Sequence, residues 1–221
     1  MKQILILAAF ITTIFLLWNY PVLYPLKLLV VFFHESSHAL MTVATGGSVE
    51  ELVLDPRQGG HVISVGGNRF LTLSVGYLGS LAWGVAIYLI AVRTRLDKAM
   101  MVLLGVVVIA IGAAFSRELF ALGFAVTTGV VLILMGWKVP MEVNDLVLRV
   151  IGMTNMIYVP FDIYSDTIAR SELRSDAFML AEEFGGATWL WGAGWLGISL
   201  IMLALTLWLS LSASSEEPPD S

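Results

Sequence analysis

The chain has 221 residues, of which 58% are hydrophobic and only 13% are charged, and its formal net charge is −5. A soluble globular domain carries about 25% charged residues, and 12 basic and 17 acidic side chains are too few to cover a soluble protein of this length. These figures exclude an ordinary cytosolic protein, a disordered chain and a nucleic-acid-binding protein. They favour an all-α polytopic membrane protein with about six to seven transmembrane helices.

Seven apolar segments are candidates for crossing a bilayer, which takes about 20 residues of helix. The first, at residues 5–18, is predicted to be an uncleaved anchor. A cleaved signal peptide is the alternative, although Asn19-Tyr20-Pro21 is a poor cleavage context. The other six spans are predicted at residues 22–44, 70–92, 99–115, 119–136, 143–164 and 189–211.

Two stretches between these segments are predicted to lie outside the hydrocarbon. Residues 46–68 hold short β-branched runs on either side of a Pro/Gly turn, which predicts a β-hairpin, and the unpaired amides of its strands exclude exposure to lipid. Residues 165–186 are rich in charge and predict a solvent-facing helix between the last two spans. Residues 1–213 are therefore expected to form a single integral-membrane domain, followed by a disordered polar tail at 214–221.

The sequence His34-Glu35-Ser36-Ser37-His38 is the motif that points to chemistry. Because residues four apart share one face of a helix, both imidazoles can reach the same ion, and Glu35 can hold a water bound to it. Imidazole nitrogen suits zinc, and the chain has no cysteine to offer as a thiolate. We therefore predict one Zn²⁺ per chain, with His34 and His38 as ligands and Glu35 as the catalytic residue. A His/Glu pair that only links two helices by a hydrogen bond is the alternative.

The third zinc ligand is the least determined part of the predicted site, since a catalytic zinc takes three protein ligands and leaves the fourth position open. Asp162 is the favoured candidate because Pro160 would kink its helix and turn the carboxylate inward. Asp166, one turn later on the same face, is the alternative third ligand. Asp145 and Glu118, near predicted span ends, are the remaining acids considered.

Four stretches spread over residues 33 to about 180 carry a family resemblance. They are residues 33–39 with the histidine motif, the hairpin 51–60 with Gly66-Gly67, residues 76–80, and residues 161–167 with 175–177. Together they resemble the intramembrane zinc metallopeptidases of the site-2-protease class, in particular the compact subgroup without a PDZ or CBS domain. The resemblance implies a third ligand from a downstream aspartate on another helix. Many members place that aspartate in an Asn-x-x-Pro…Asp-Gly motif, whose glycine is missing after Asp162 here.

The motif and the resemblance together predict an intramembrane zinc metalloprotease that hydrolyses peptide bonds of membrane-protein substrates. Zinc would activate a water, and Glu35 would accept its proton as the general base. The expected partners are a transmembrane protein substrate and the lipid bilayer, and the expected location is the cell membrane. The hairpin is expected to pair with an unwound substrate segment by strand addition. Unchanged cleavage after proline substitution at Val62 or Ile63 would contradict that last expectation.

Two other functions are compatible with the same residues. One is a membrane metal-binding transporter that uses a His/His/Asp set as a transit site, and the other is a non-catalytic relative that binds membrane proteins without cutting them. Transport has no need for a carboxylate beside the first histidine, so Glu35 favours hydrolysis over transport. The complete histidine motif argues against the non-catalytic relative.

Overall fold

The computed structural model describes residues 12–13, 16–17 and 20–213. In that part of the chain there are seven α-helices and one two-stranded sheet, which confirms the predicted all-α membrane architecture with a hairpin. The predicted first span at 5–18 lies mostly outside the described residues, and the tail at 214–221 lies wholly outside them. The helices are α1 (Tyr24–Ala44), α2 (Arg69–Arg93), α3 (Asp97–Phe115), α4 (Leu119–Lys138), α5 (Met141–Tyr164), α6 (Asp176–Phe184) and α7 (Thr188–Ala213), and the strands are β1 (Ser48–Asp55) and β2 (Gly59–Val65).

Five of the described helices are long and apolar enough to cross a membrane, namely α2, α3, α4, α7 and α5 with its continuation to Ala169. Helix α1 is not among them, because Lys27, Glu35 and the two histidines lower its mean hydropathy. Every residue from Leu28 to Phe33 is nevertheless at most 8% exposed. A helix that is apolar on all sides belongs inside a fold, and α1 packs on α2, on α5 and on both strands.

The buried side chains form two hydrophobic clusters. The first joins α1 to β1, α3, α4, the end of α2 and the first half of α5, with Phe32, Leu52 and Met101 among its members. The second joins α2, α5, α6 and α7 and includes Leu73 and Leu180. Helices α2 and α5 contribute to both clusters, and α2 also passes directly beside the two histidines of α1 at Gly76.

The hairpin has the predicted place and pairing. Strands β1 and β2 are antiparallel, with Leu52 opposite Val62 and Leu54 opposite Gly60. Leu52 and Leu54 are fully buried, so this face of the hairpin is packed against the helices rather than exposed to lipid. Because side chains alternate across a strand, the opposite face, which carries the half-exposed Ile63, is left open.

The segment at 165–186 differs from its prediction as one solvent-facing helix. Helix α5 continues into a π-helical turn at Ser165–Ala169, an irregular stretch follows, and α6 has only nine residues. Ser175 begins α6 as its N-cap, since its side-chain oxygen accepts a hydrogen bond from the amide of Phe178. Ala177 and Leu180, three residues apart, are completely buried. The apolar face of this short amphipathic helix therefore closes over the interior instead of facing solvent.

Candidate metal centre

The two histidines of the motif converge as their spacing predicts. His34 and His38 lie one turn apart on α1, and their Nε2 atoms are 3.0 Å apart. The rings meet edge to face, with centroids separated by 4.8 Å. Both side chains are largely buried, with 16% and 8% exposed. Two imidazole nitrogens are thus presented to one point in the interior.

A carboxylate from α6 completes the group. Oδ2 of Asp176 lies 3.1 Å from Nε2 of His34 and 3.1 Å from Nε2 of His38. The three donor atoms lie within 4.8 Å of one another, so a single ion can contact all three. Two imidazoles and a carboxylate are a donor set that catalytic zinc uses. The residues present therefore fit a zinc ion.

Two residues of α2 shape this group: Gly76, which has no side chain, and Thr72, whose backbone carbonyl faces His38. A Cβ atom at Gly76 would lie 2.5 Å from Nε2 of His34 and would also overlap Nε2 of His38. On the same helix, the carbonyl of Thr72 accepts a hydrogen bond from Nδ1 of His38 at 2.7 Å. This bond selects the tautomer whose Nε2 lone pair faces the group, as the outer contacts of metal-bound histidines do.

The carboxylate of Asp176 is stabilised in its charged form. Burial alone would raise the pKa of this group, but the imidazoles of His38 and His34 outweigh it and hold the pKa below the usual range of an aspartate. Asp176 is therefore ionised at neutral pH, as a metal ligand must be.

Glu35 shares one cavity with this group. A cavity of about 610 Å³ is lined by His34, Glu35, His38 and Asp176 together with residues of β2 and of the end of α5. Glu35 is only 5% exposed. A Cβ atom at Gly60 would lie 2.9 Å from its Oε1, so the backbone of β2 lies directly against the carboxylate. The hairpin thus forms one wall of the space around Glu35.

Neither aspartate favoured by sequence reasoning joins the imidazoles. Asp162 lines the same cavity but accepts a hydrogen bond from Tyr158, and Asp166 accepts hydrogen bonds from Tyr77 and Arg170. Helix α5 remains helical through Pro160, and Asp162 bonds to Tyr158 of its own helix instead of meeting the histidines.

The other two acids considered are also elsewhere. Asp145 is paired with Arg149 near the opposite end of α5, and Glu118 is the N-cap of α4. The residue that sequence reasoning missed, Asp176, had one signal. It follows Ser175 in a serine–acid pair of the kind that begins a helix, within a stretch that carries the family resemblance.

The sequence family described as Peptidase M50B-like matches the chain over residues 7–206. The matched region contains His34, Glu35, His38 and Asp176. Neither a curated protein nor a solved structure matches the chain.

Proposed function

The chain belongs to the Peptidase M50B-like family, and from this membership we propose that it is a zinc metalloprotease that hydrolyses peptide bonds of membrane-protein substrates within the bilayer. The observation that carries the proposal is the convergence of His34, His38 and Asp176 beside Glu35 in one cavity. Two of the five helices long and apolar enough to cross a membrane, α2 and α5, line this cavity, which supports a site that acts on transmembrane segments. We propose the cell membrane as its location.

In this proposal His34, His38 and Asp176 hold one zinc ion per chain. Three protein ligands leave the fourth position of a tetrahedral zinc open, as in catalytic sites. When bound, zinc would supply Lewis-acid polarisation of the scissile carbonyl and a more acidic water. Thr72 keeps the His38 ring in its ligating tautomer, and Gly76 leaves the space that both rings need.

Glu35 is the proposed general base. It would accept the proton of the attacking water and pass it to the leaving amine. No lysine or arginine among the described residues forms an ion pair with Glu35, so its carboxylate is not neutralised by a permanent partner. Its burial against Gly60 removes it from bulk water, which strengthens electrostatic effects inside the cavity.

Glu35→Gln tests this proposal. The variant is expected to lose cleavage of a tagged single-span membrane protein that the wild type cuts in liposomes, and to retain about one zinc per chain, because an amide cannot accept the proton. Glu50→Gln is the matched control, since Glu50 is exposed on β1, and it should cleave like the wild type. Full turnover by Glu35→Gln would refute the general-base role. Zinc uptake into sealed liposomes by both wild type and Glu35→Gln, without cleavage, would favour a transporter instead.

A further inference from the structure

Tyr77, Asp166 and Arg170 line one side of the cavity and contact one another, and none of them has a role in the proposed reaction. Tyr77 of α2 donates a hydrogen bond from its hydroxyl to Oδ2 of Asp166 at 3.1 Å. The other oxygen of the same carboxylate accepts a hydrogen bond from Arg170. Asp166 and Arg170 lie at the π-helical turn that ends α5, and such turns are frequent at functional sites.

Tyr77 also contacts His34, the first histidine of the motif. The rings of Tyr77 and His34 meet edge to face, with centroids 4.7 Å apart and an angle of 81° between the planes. Tyr77 also contacts Trp195 of α7, at a centroid distance of 5.5 Å. Tyr77 and Trp195 are only 3% and 5% exposed. The tyrosine ring is therefore held between the histidine and the tryptophan, while its hydroxyl is fixed by Asp166.

The two histidines differ in what orients them. Nδ1 of His38 is hydrogen-bonded to the carbonyl of Thr72, the usual way in which a ligating imidazole is held. For His34, the hydrogen bonds present in the described part of the chain all involve Nε2. The ring of Tyr77 packs against the His34 imidazole.

We propose that Tyr77 is a positioning residue for His34, and that Asp166 and Arg170 keep the tyrosine ring in place. The inference rests on the proposed zinc site, because a positioned imidazole matters only if it binds a metal. It also assigns the tyrosine hydroxyl to Asp166 rather than to the reacting carbonyl. Arg170, whose side chain is half exposed, would connect zinc affinity to the solvent side of the cavity.

Zinc affinity of the full chain, measured in detergent by competition with a chelator, tests the inference without any substrate. Tyr77→Leu is expected to raise the zinc Kd about 10- to 100-fold, the range for loss of an outer contact of a metal ligand. Tyr77→Phe keeps the ring and loses only the hydroxyl, so it should raise Kd by less than about 10-fold, below the range for loss of a whole outer contact. Arg170→Gln should have a similar effect. Both substitutions act through the Tyr77 ring. The zinc Kd of the double variant Tyr77→Phe/Arg170→Gln should therefore be no higher than the higher Kd of the two single variants.

Tyr88→Phe is the matched control. Tyr88 lies on the same helix, is 4% exposed, and shares a hydrogen bond of 3.2 Å with Ser210, away from the cavity. Its zinc Kd should equal that of the wild type. If Tyr77→Leu does not fold, Tyr77→Phe and the double variant decide the question.

Several results would overturn the inference. An unchanged zinc Kd in Tyr77→Phe and Tyr77→Leu would do so, and so would fully additive effects in the double variant. A lower kcat with an unchanged zinc Kd would make the tyrosine hydroxyl a donor to the reacting carbonyl instead. A wild-type protein that binds no zinc would overturn both this inference and the metalloprotease proposal, whereas one that binds zinc but cleaves nothing would overturn only the hydrolysis.

Discussion

Helices α1 and α6 both contribute side chains to the candidate metal centre, but the protein holds them in different ways. Helix α1 has 21 residues, and a continuous segment before its histidines is buried on all sides. Helix α6 has nine residues, begins at Asp176 itself, and keeps its polar face in solvent. Arg69 joins α6 to α2 through an ion pair of 3.0 Å with Glu183 and a contact of 3.3 Å with Met179.

This difference means that the imidazoles depend on global stability, whereas the carboxylate depends on the local stability of α6. The imidazoles on α1 keep their positions as long as the core is folded, because moving them requires the core to open. The carboxylate on α6 belongs to a nine-residue helix with only two completely buried apolar side chains, Ala177 and Leu180. Segments with few buried contacts open at lower free energy than the whole protein. We therefore expect changes in α6 to alter metal affinity more than global stability, and changes around α1 to alter both.

The largest expected effect comes from removing the carboxylate. Asp176→Asn should reduce zinc affinity by more than about 100-fold, beyond the usual range for outer contacts, with little change in Tm. Asp162→Asn is the matched control from the same cavity and should retain about one zinc per chain. Metal analysis of the purified proteins measures this directly. Loss of zinc in Asp162→Asn with retention in Asp176→Asn would return the third ligand to α5.

A Gly76→Ala substitution should affect both metal binding and folding. Its added methyl group would overlap the Nε2 atoms of both histidines, so zinc binding should be largely lost. Overpacking of this kind costs about 1–3 kcal/mol of unfolding free energy. Gly123→Ala is the control, because nothing lies within 4 Å of a Cβ atom there. A Gly76→Ala protein with wild-type zinc content would show that the imidazoles of His34 and His38 can move away from α2, which would contradict this expectation.

The smallest expected effect concerns the attachment of α6. Arg69→Gln removes the ion pair with Glu183, whose side chains are 45% and 36% exposed. Exposed ion pairs contribute about 0.2–1 kcal/mol, so zinc Kd should rise by no more than about five-fold while Tm stays within about 4 °C. Arg57→Gln, which removes an exposed pair with Asp55 on the hairpin, should leave zinc Kd unchanged. A fall in Tm without a change in Kd would contradict the local role of α6.

Much of the fold was predictable from local patterns. Apolar segments long enough to span a bilayer are visible in the sequence, and the six predicted at 22–44 and beyond correspond to helices α1 to α5 and α7 within a few residues. The hairpin followed from β-branched runs around a Pro/Gly turn. These features depend on neighbouring residues alone, which is why they needed no knowledge of the rest of the chain.

The site was predictable only where it is local. His34 and His38 share a face because four residues make about one helical turn, and Glu35 follows from the same motif. Asp176 is 138 residues beyond His38 in the chain, and its approach depends on how α6 closes over α1 and α2. Asp162 was favoured because a kink at Pro160 was expected to turn its carboxylate inward, whereas Asp176 is the acid that meets the imidazoles. Helix α5 stays continuous through Pro160 and packs against α2 and α7.

The amino-acid sequence by itself determined that this is a helical membrane protein with a hairpin and a two-histidine motif, because periodicity, length and hydropathy are properties of short segments. Only the tertiary structure decided which of several aspartates meets the imidazoles and what holds each ring. Those choices depend on contacts between residues far apart in the chain. Gly76 of α2 leaves space for both imidazoles, and the nine-residue helix α6 brings the carboxylate of Asp176 to them.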